Sequence, residues 1–257
     1  MERKEELILL KSTTIIKEYD DSFSKHLYNA TGFFCRNECG EVFLVTNYHV
    51  IRDSKNFKVY ITLHYYDENG KIYEEFHKDI PFTIDKSSDD VKINKEYDLC
   101  VIYFDSVLNN ISDKTQKANI VAIPFKGLVD DYSQFNYVEK IVMIGYPNAL
   151  IDEVRNLPIV REGITATGMC ENYNGEFCFI INVPVFHGSS GSPVYYLTNE
   201  NKVRLVGIVS HFYKETIDVH DSNNLEHIIG KAVIPNGLGK VVKTNILLDL
   251  LKNENES

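Results

Sequence analysis

Tryptophan is absent from the 257 residues, cationic side chains are in deficit, and no long apolar run occurs. Lys and Arg number 27 against 37 Asp and Glu, a formal net charge of −10. That balance argues against a nucleic-acid partner, because affinity for a phosphate backbone rests largely on Lys and Arg. The apolar run at residues 7–10 is too short for the core of a signal peptide. No stretch approaches the ~20 apolar residues that cross a bilayer, so no membrane partner is expected. The five cysteines (Cys35, Cys39, Cys100, Cys170, Cys178) are an odd number in a large domain, which argues against a disulfide framework. A reduced, cytoplasmic protein is the expectation. Internal repeats and low-complexity linkers are also missing, and helical periodicity is clear only at the C-terminal end.

What is present suits strands. Tyr (16) and Phe (14) are plentiful in a composition that is 44% hydrophobic. Short runs rich in β-branched and aromatic residues end near Gly, Asn or Asp. They fall at 12–19, 32–36, 42–46, 57–65, 99–104, 120–125, 140–144, 164–169, 177–183, 193–197 and 203–209. Many short strands without interleaved helices predict an all-β sandwich or barrel. The polar stretches 67–78, 85–96 and 218–226 read as surface loops. Val242, Ile246, Leu247, Leu250 and Leu251 share one helical face, so a C-terminal helix is expected over about 241–253. A division into two barrels is expected near 105–135, within one domain covering 1–257: an N-terminal barrel over about 12–110 and a C-terminal barrel over about 118–240.

Three segments carry candidate chemistry. In His187-Gly188-Ser189-Ser190-Gly191-Ser192-Pro193, glycines on both sides of a serine allow a tight turn whose N–H groups converge on one spot. Such a turn can present a hydroxyl beside oxyanion donors; alone, it reads equally as a Gly/Ser loop. A serine hydroxyl needs a general base, and Thr46-Asn47-Tyr48-His49-Val50 places a histidine at the end of an apolar strand. Alone, such a histidine is more often structural. Asp98, at the mouth of Leu99-Cys100-Val101-Ile102, alone reads as a turn acid. Together the three fall in the order His, Asp, Ser, the chymotrypsin order. Asp98 follows His49 by 49 residues and Ser190 follows Asp98 by 92, against about 45 and 93 in the chymotrypsin triad.

On these residues, with Ala30-Thr31-Gly32-Phe33-Phe34, Ile144-Gly145-Tyr146-Pro147 and Leu205-Val206-Gly207-Ile208-Val209-Ser210, the chain resembles the bacterial trypsin-like serine proteases, the group that includes Deg-type and glutamyl endopeptidases. The resemblance covers roughly residues 12–250. It implies two six-stranded antiparallel β-barrels with a C-terminal helix, and a serine endopeptidase acting on protein or peptide through an acyl-enzyme. It further implies Ser190 as nucleophile, His49 as base and later acid, Asp98 as its orienter, and the N–H groups of Gly188 and Ser190 as oxyanion hole. Ser189 and Ser192 are then bystanders. Ser189 stands where many activated members of the fold carry an acid that pairs with a freed N-terminus. Its lack of charge implies a chain active as made, or switched by a regulatory protein partner.

By the same resemblance the primary specificity pocket lies between 183–186 and 209–213, drawing on Pro184, Val185, His187, Val209, Ser210 and His211. Pro184 and Val185 stand where a trypsin carries a buried acid, which disfavours Lys or Arg. A medium apolar side chain is favoured over an acidic one, since His211 is two residues displaced from the glutamyl endopeptidase pattern. No cofactor is expected. Cys35-x3-Cys39 has a permitted metal spacing but reads better as flanking a hairpin turn, and Cys100 in an apolar strand reads as inert. Two other readings compete: a catalytically silent module that keeps the fold for binding or regulation, and an esterase using the same triad.

Overall fold

The computed structural model describes residues 3–66, 72–109, 118–152, 154–198, 203–221 and 224–252. The N-terminal half contains β1 (Thr13–Tyr19), β2 (His26–Arg36), β3 (Val42–Asn47), β4 (Asn56–Tyr66), β5 (Ile72–Thr83), β6 (Val91–Asn94), β7 (Leu99–Tyr103), β8 (Ala118–Ile120) and β9 (Ile123–Pro124). The C-terminal half contains β10 (Lys140–Gly145), β11 (Ile159–Thr165), β12 (Cys178–Asn182), β13 (Pro193–Leu197), β14 (Val203–Asp221) and β15 (Asn224–Lys243). Four helices join them: α1 (Arg3–Ser12), α2 (Tyr48–Ile51), α3 (Asp105–Asn109) and α4 (Thr244–Lys252).

The C-terminal half is the expected closed six-stranded antiparallel barrel, in the order β10-β11-β12-β15-β14-β13. The N-terminal half departs from six closed strands. Its ladder runs β5-β4-β1-β2-β3-β7-β6, with β8 on β4 and β9 on β2, and does not close among the described residues. Within the division expected near 105–135, residues 110–117 lie outside the described ones.

Three hydrophobic clusters explain why these strands form. Phe34, Leu44, Cys100 and Ile102 face the core of the N-terminal sheet. Their neighbours Phe33, Val45, Leu99 and Val101 face the other way, into a cluster shared with Ile144, Tyr195, Leu205 and Val242 of the barrel. Strands β2, β3 and β7 are thus buried on both faces, which is why they read as near-continuous apolar runs. The barrel has its own core, including Met143, Phe179, Ile181, Val194, Val206 and Val241.

α4 packs Ile246 and Leu247 into the cluster between the halves, but it begins three residues later than expected because Val242 belongs to β15. Its first N–H, on Thr244, donates to the Tyr132 hydroxyl at 2.9 Å, and that hydroxyl donates to the Val206 carbonyl. Burial pushes the Tyr132 phenol well above its ordinary range. Tyr132→Phe should therefore cost about 1–3 kcal/mol by leaving the buried Thr244 N–H without that acceptor; urea unfolding of the two proteins checks it.

The short helices α2 and α3 were not expected, nor were α1, β5 and β6 as such. α1 docks Leu9 and Leu10 on the shared cluster. The stretch read as a loop at 67–78 is largely β5, which pairs with β4 from Asn56↔Thr83 to Tyr66↔Ile72; residues 67–71 lie outside the described ones. β6 lies inside the expected loop at 85–96. Beyond the barrel, β14 and β15 continue as a two-stranded ribbon to Asp221↔Asn224, through the stretch read as a loop at 218–226, of which 222–223 are not described. β13 covers the other edge of β14 only from Val203 to Ile208. From Ser210 onward, β15 is the only strand paired with β14 among the described residues.

Candidate active site

The three candidate residues arrive from three separate elements and meet between the two halves. β3 ends at Asn47, and the chain turns directly into the short helix α2, which carries His49. Asp98 precedes β7, the partner of β3, and sits at a positive φ of 54°, a left-handed conformation that Asp tolerates better than most side chains. That turn points both ends of the residue at α2. The Asp98 carbonyl accepts from Tyr48 N–H at 3.1 Å and from the Asn47 amide at 3.0 Å. Its carboxylate accepts from His49 N–H at 2.8 Å and from His49 Nδ1 at 2.6 Å.

With Nδ1 donating to a carboxylate, Nε2 is left as the acceptor. Ser190 Oγ lies 3.0 Å from it. The imidazole therefore bridges acid and hydroxyl in one line, with Asp98 mostly shielded and His49 about one-third exposed, at 15% and 32% of side-chain surface.

The loop holding Ser190 is shaped by two glycines at positive φ, Gly188 (84°) and Gly191 (82°). A Cβ on Gly191 would lie 2.0 Å from the Thr31 carbonyl, and one on Gly188 would lie 2.4 Å from the Tyr146 carbonyl. The first of these close approaches ties the loop to the N-terminal half. Thr31 N–H donates to Ser190 O at 2.9 Å, and Thr31 Oγ1 donates to Gly188 O at 2.7 Å.

The peptide orientations bear on the two candidate oxyanion donors. His187 O accepts from Asn148 N–H at 2.6 Å. In a planar trans peptide the N–H points opposite to the C=O, so the Gly188 N–H is turned away from Asn148. Asn148 itself is held at a positive φ of 50° and Ala149 at 57°, two consecutive non-glycine residues in a sparsely populated region next to the site. Among the described residues neither the Gly188 nor the Ser190 N–H enters a backbone bond outside helices and strands.

Ser192 and Ser189 are both buried. Ser192 Oγ faces Gly145, where a Cβ would lie 2.0 Å from it, and Ser189 Oγ faces Arg161 at 2.9 Å. Gly188→Ala should cost about 1 kcal/mol of stability or more, since the positive φ of 84° disfavours a side chain and the added Cβ would lie 2.4 Å from the Tyr146 carbonyl; urea unfolding of the two proteins checks it.

The pocket residues divide. Val185 and Val209 are buried in the barrel core rather than turned to the cleft, and Ser210 is buried with its hydroxyl directed at Lys240 O, 3.4 Å away. Pro184, His187 and His211 are exposed. His187 stacks edge-on against Phe212 at 5.1 Å, joining the two pocket walls, and His211 lies 5.9 Å from the His49 ring. Partial burial holds the His211 imidazole below its ordinary range, with His49 and Lys240 adding repulsion against the pull of Asp98. Phe212, Arg161, Asn148 and Thr31 were not singled out as site residues. Phe212 falls inside the 209–213 stretch expected to border the pocket, Thr31 and the Gly145-Tyr146-Pro147 run before Asn148 fall in the segments that resemble the family, and Arg161 left no trace.

The cysteines stand apart from this chemistry. Cys35 is buried near the end of β2, and Cys39 is exposed within the β2–β3 turn itself rather than flanking it. Burial pushes the Cys100 thiol up to about 12, so it is not a thiolate at neutral pH. Among the described residues no cluster of three metal-ligating side chains occurs. No helix among them is long and apolar enough to cross a membrane.

A family model described as the trypsin-like peptidase domain matches residues 30–208. No curated protein matches the chain by sequence. Among solved structures, the active form of the Rv3671c protease from M. tuberculosis is similar at a TM-score of 0.50 and 14% identity, over 98% of this chain and 84% of that one. At that identity the likeness concerns the fold, which is chymotrypsin-like.

Proposed function

Because this chain belongs to the trypsin-like peptidase domain family, we propose that it is a serine endopeptidase whose nucleophile is Ser190. The observation that carries the reading is the His49 ring, 2.6 Å from Asp98 and 3.0 Å from Ser190. As Ser190 Oγ attacks a peptide carbonyl, His49 Nε2 takes its proton, and Asp98 holds the tautomer and stabilises the imidazolium. The carbonyl oxygen becomes an oxyanion between the N–H groups of Gly188 and Ser190. His49 then returns the proton to the leaving amine, and water releases the acyl group from Ser190 by the same steps.

The substrate segment before the scissile bond adds to the free edge of β14 beginning at Ser210, as an extra antiparallel strand. The ring pair of His187 and Phe212 limits how large a side chain enters between the pocket walls, which supports a medium apolar preference at the cleaved residue. Two cations stand near this mouth, Lys214 over the Phe212 ring at 4.6 Å and Arg161 bonded to the Pro184 carbonyl, and their charge disfavours Lys or Arg at the cleaved residue.

The silent-module reading predicts a broken relay, and the unbroken distances favour turnover. An esterase would use the same relay, so the two hydrolase readings divide on substrate. Digestion of a peptide library by wild-type protein and by Ser190→Ala should give cleavage with the wild type alone, clustered after medium apolar residues. Cleavage of simple esters without any peptide cleavage would favour the esterase, and cleavage by Ser190→Ala would remove Ser190 from its role.

A further inference from the structure

Behind the oxyanion loop lies a cation that the catalytic steps do not use. Arg161 projects from β11, where it pairs with Met143 of β10. Its Nη1 donates to the Pro184 carbonyl, and its Nη2 donates to Ser189 Oγ at 2.9 Å. Ser189 Oγ also accepts from Phe186 N–H at 3.4 Å, and the guanidinium lies 5.8 Å from the centre of the Phe186 ring. Arg161 Nε is buried and without a partner. No carboxylate among the described residues forms an ion pair with it, and burial lowers its pKa to about 10.

A half-buried cation without a counter-charge is costly unless its hydrogen bonds satisfy it. Here the bonds go to two points five residues apart, at the two ends of the segment 184–189. Between those points the chain carries the His187–Gly188 peptide, whose N–H is one oxyanion donor. Asn148 holds the middle of the segment through His187 O at 2.6 Å. Arg161 holds its ends. The planar fork of a guanidinium suits this task, since its N–H groups are fixed relative to one another, whereas an ammonium is a point charge.

We propose that Arg161 is a positioning residue for the oxyanion hole, fastening Pro184 and Ser189 so that the Gly188 N–H is presented before substrate arrives. The inference rests on Ser190 being the nucleophile. It assigns to a single half-buried arginine the ordering of a loop that has no acidic side chain of its own from Pro184 to Gly191. Arg161 bonds Pro184 and Ser189 rather than His49, Asp98 or Ser190, so its effect is expected on transition-state stabilisation and not on peptide binding.

The test reads the rate at which a fluorophosphonate modifies Ser190, because its phosphoryl oxygen must enter the same hole. In Arg161→Ala the second-order rate constant should fall about 10- to 100-fold. Arg161→Lys should recover part of it, and millimolar guanidinium should raise the rate of Arg161→Ala but not of wild type. On a Ser190→Ala background, Arg161→Ala should leave the affinity for a cleaved peptide sequence unchanged.

Ser189→Ala removes one of the two bonds and should give an intermediate loss, which keeps the test intact where Arg161→Ala does not fold. Folded Arg161→Ala that labels at the wild-type rate overturns the inference alone. So does a loss that neither Lys nor guanidinium restores and that follows the melting temperature. A wild type that does not label at all overturns the nucleophile assignment, and this inference with it.

Discussion

Ser190→Ala should lose turnover by about a millionfold, the scale at which removing a triad nucleophile leaves only the contribution of binding and the oxyanion hole. The physical reason is that no other hydroxyl can take its place. Ser189 Oγ faces Arg161 and Ser192 Oγ faces Gly145, so only Ser190 stands 3.0 Å from the base. The fold should be indifferent to the change. The Ser190 carbonyl keeps its bond to Thr31 N–H, and Ser190 is only half-buried, so stability should change by no more than about 0.5 kcal/mol. Kinetics and urea unfolding on the same preparation measure both. A folded variant that still cleaves at the wild-type rate contradicts the assignment.

Asp98→Asn should lower kcat by about ten-thousandfold with little change in KM. Asparagine is nearly the same shape and, like aspartate, accepts the positive φ of 54° at this position, so the backbone turn survives. What changes is the hydrogen bonding. The carboxylate now accepts from both the His49 backbone N–H and Nδ1. An amide has one acceptor oxygen and a donating nitrogen. With the oxygen on the backbone N–H, the NH2 group faces Nδ1 and forces the ring proton onto Nε2, where it can no longer accept from Ser190. The effect is on tautomer, so the pH–rate profile should change shape as well as height. A loss of less than tenfold would mean that Asp98 does not set the tautomer.

Much of this was legible in the sequence because the signals are local. The double-sided strands β2, β3 and β7 announce themselves as unbroken apolar runs, and the Gly-Ser-Ser-Gly turn requires its glycines wherever it occurs. The order and spacing of His49, Asp98 and Ser190 supplied what no single segment could. The misses share a physical cause. β5 carries Glu74, Glu75, Lys78 and Asp79 because it is an edge strand, where charge is tolerated and guards against pairing with other chains.

The ribbon of β14 and β15 escaped notice for a related reason. Beyond the barrel it has no core to face, so its side chains need not alternate, and Asp218, His220 and Asp221 read as loop. α1 was hidden by its charged first turn, since only Leu9 and Leu10 of its last turn meet the shared cluster. Val209, expected in the pocket, faces the barrel core because alternation along a strand is fixed by register, and register is not visible in one sequence; Val185 packs into the same core from the loop after β12. Arg161 was invisible for a different reason: its partners Pro184 and Ser189 lie 23 and 28 residues away, and nothing in a lone arginine announces a tertiary contact.

The central claim is that Ser190 is an activated nucleophile, and the most direct measurement is intact mass after exposure to a fluorophosphonate, followed by peptide mapping. The account predicts one adduct per chain, carried by Ser190, absent from Ser190→Ala and strongly slowed in Asp98→Asn. An unmodified wild type, or an adduct that persists undiminished in Ser190→Ala, would contradict it.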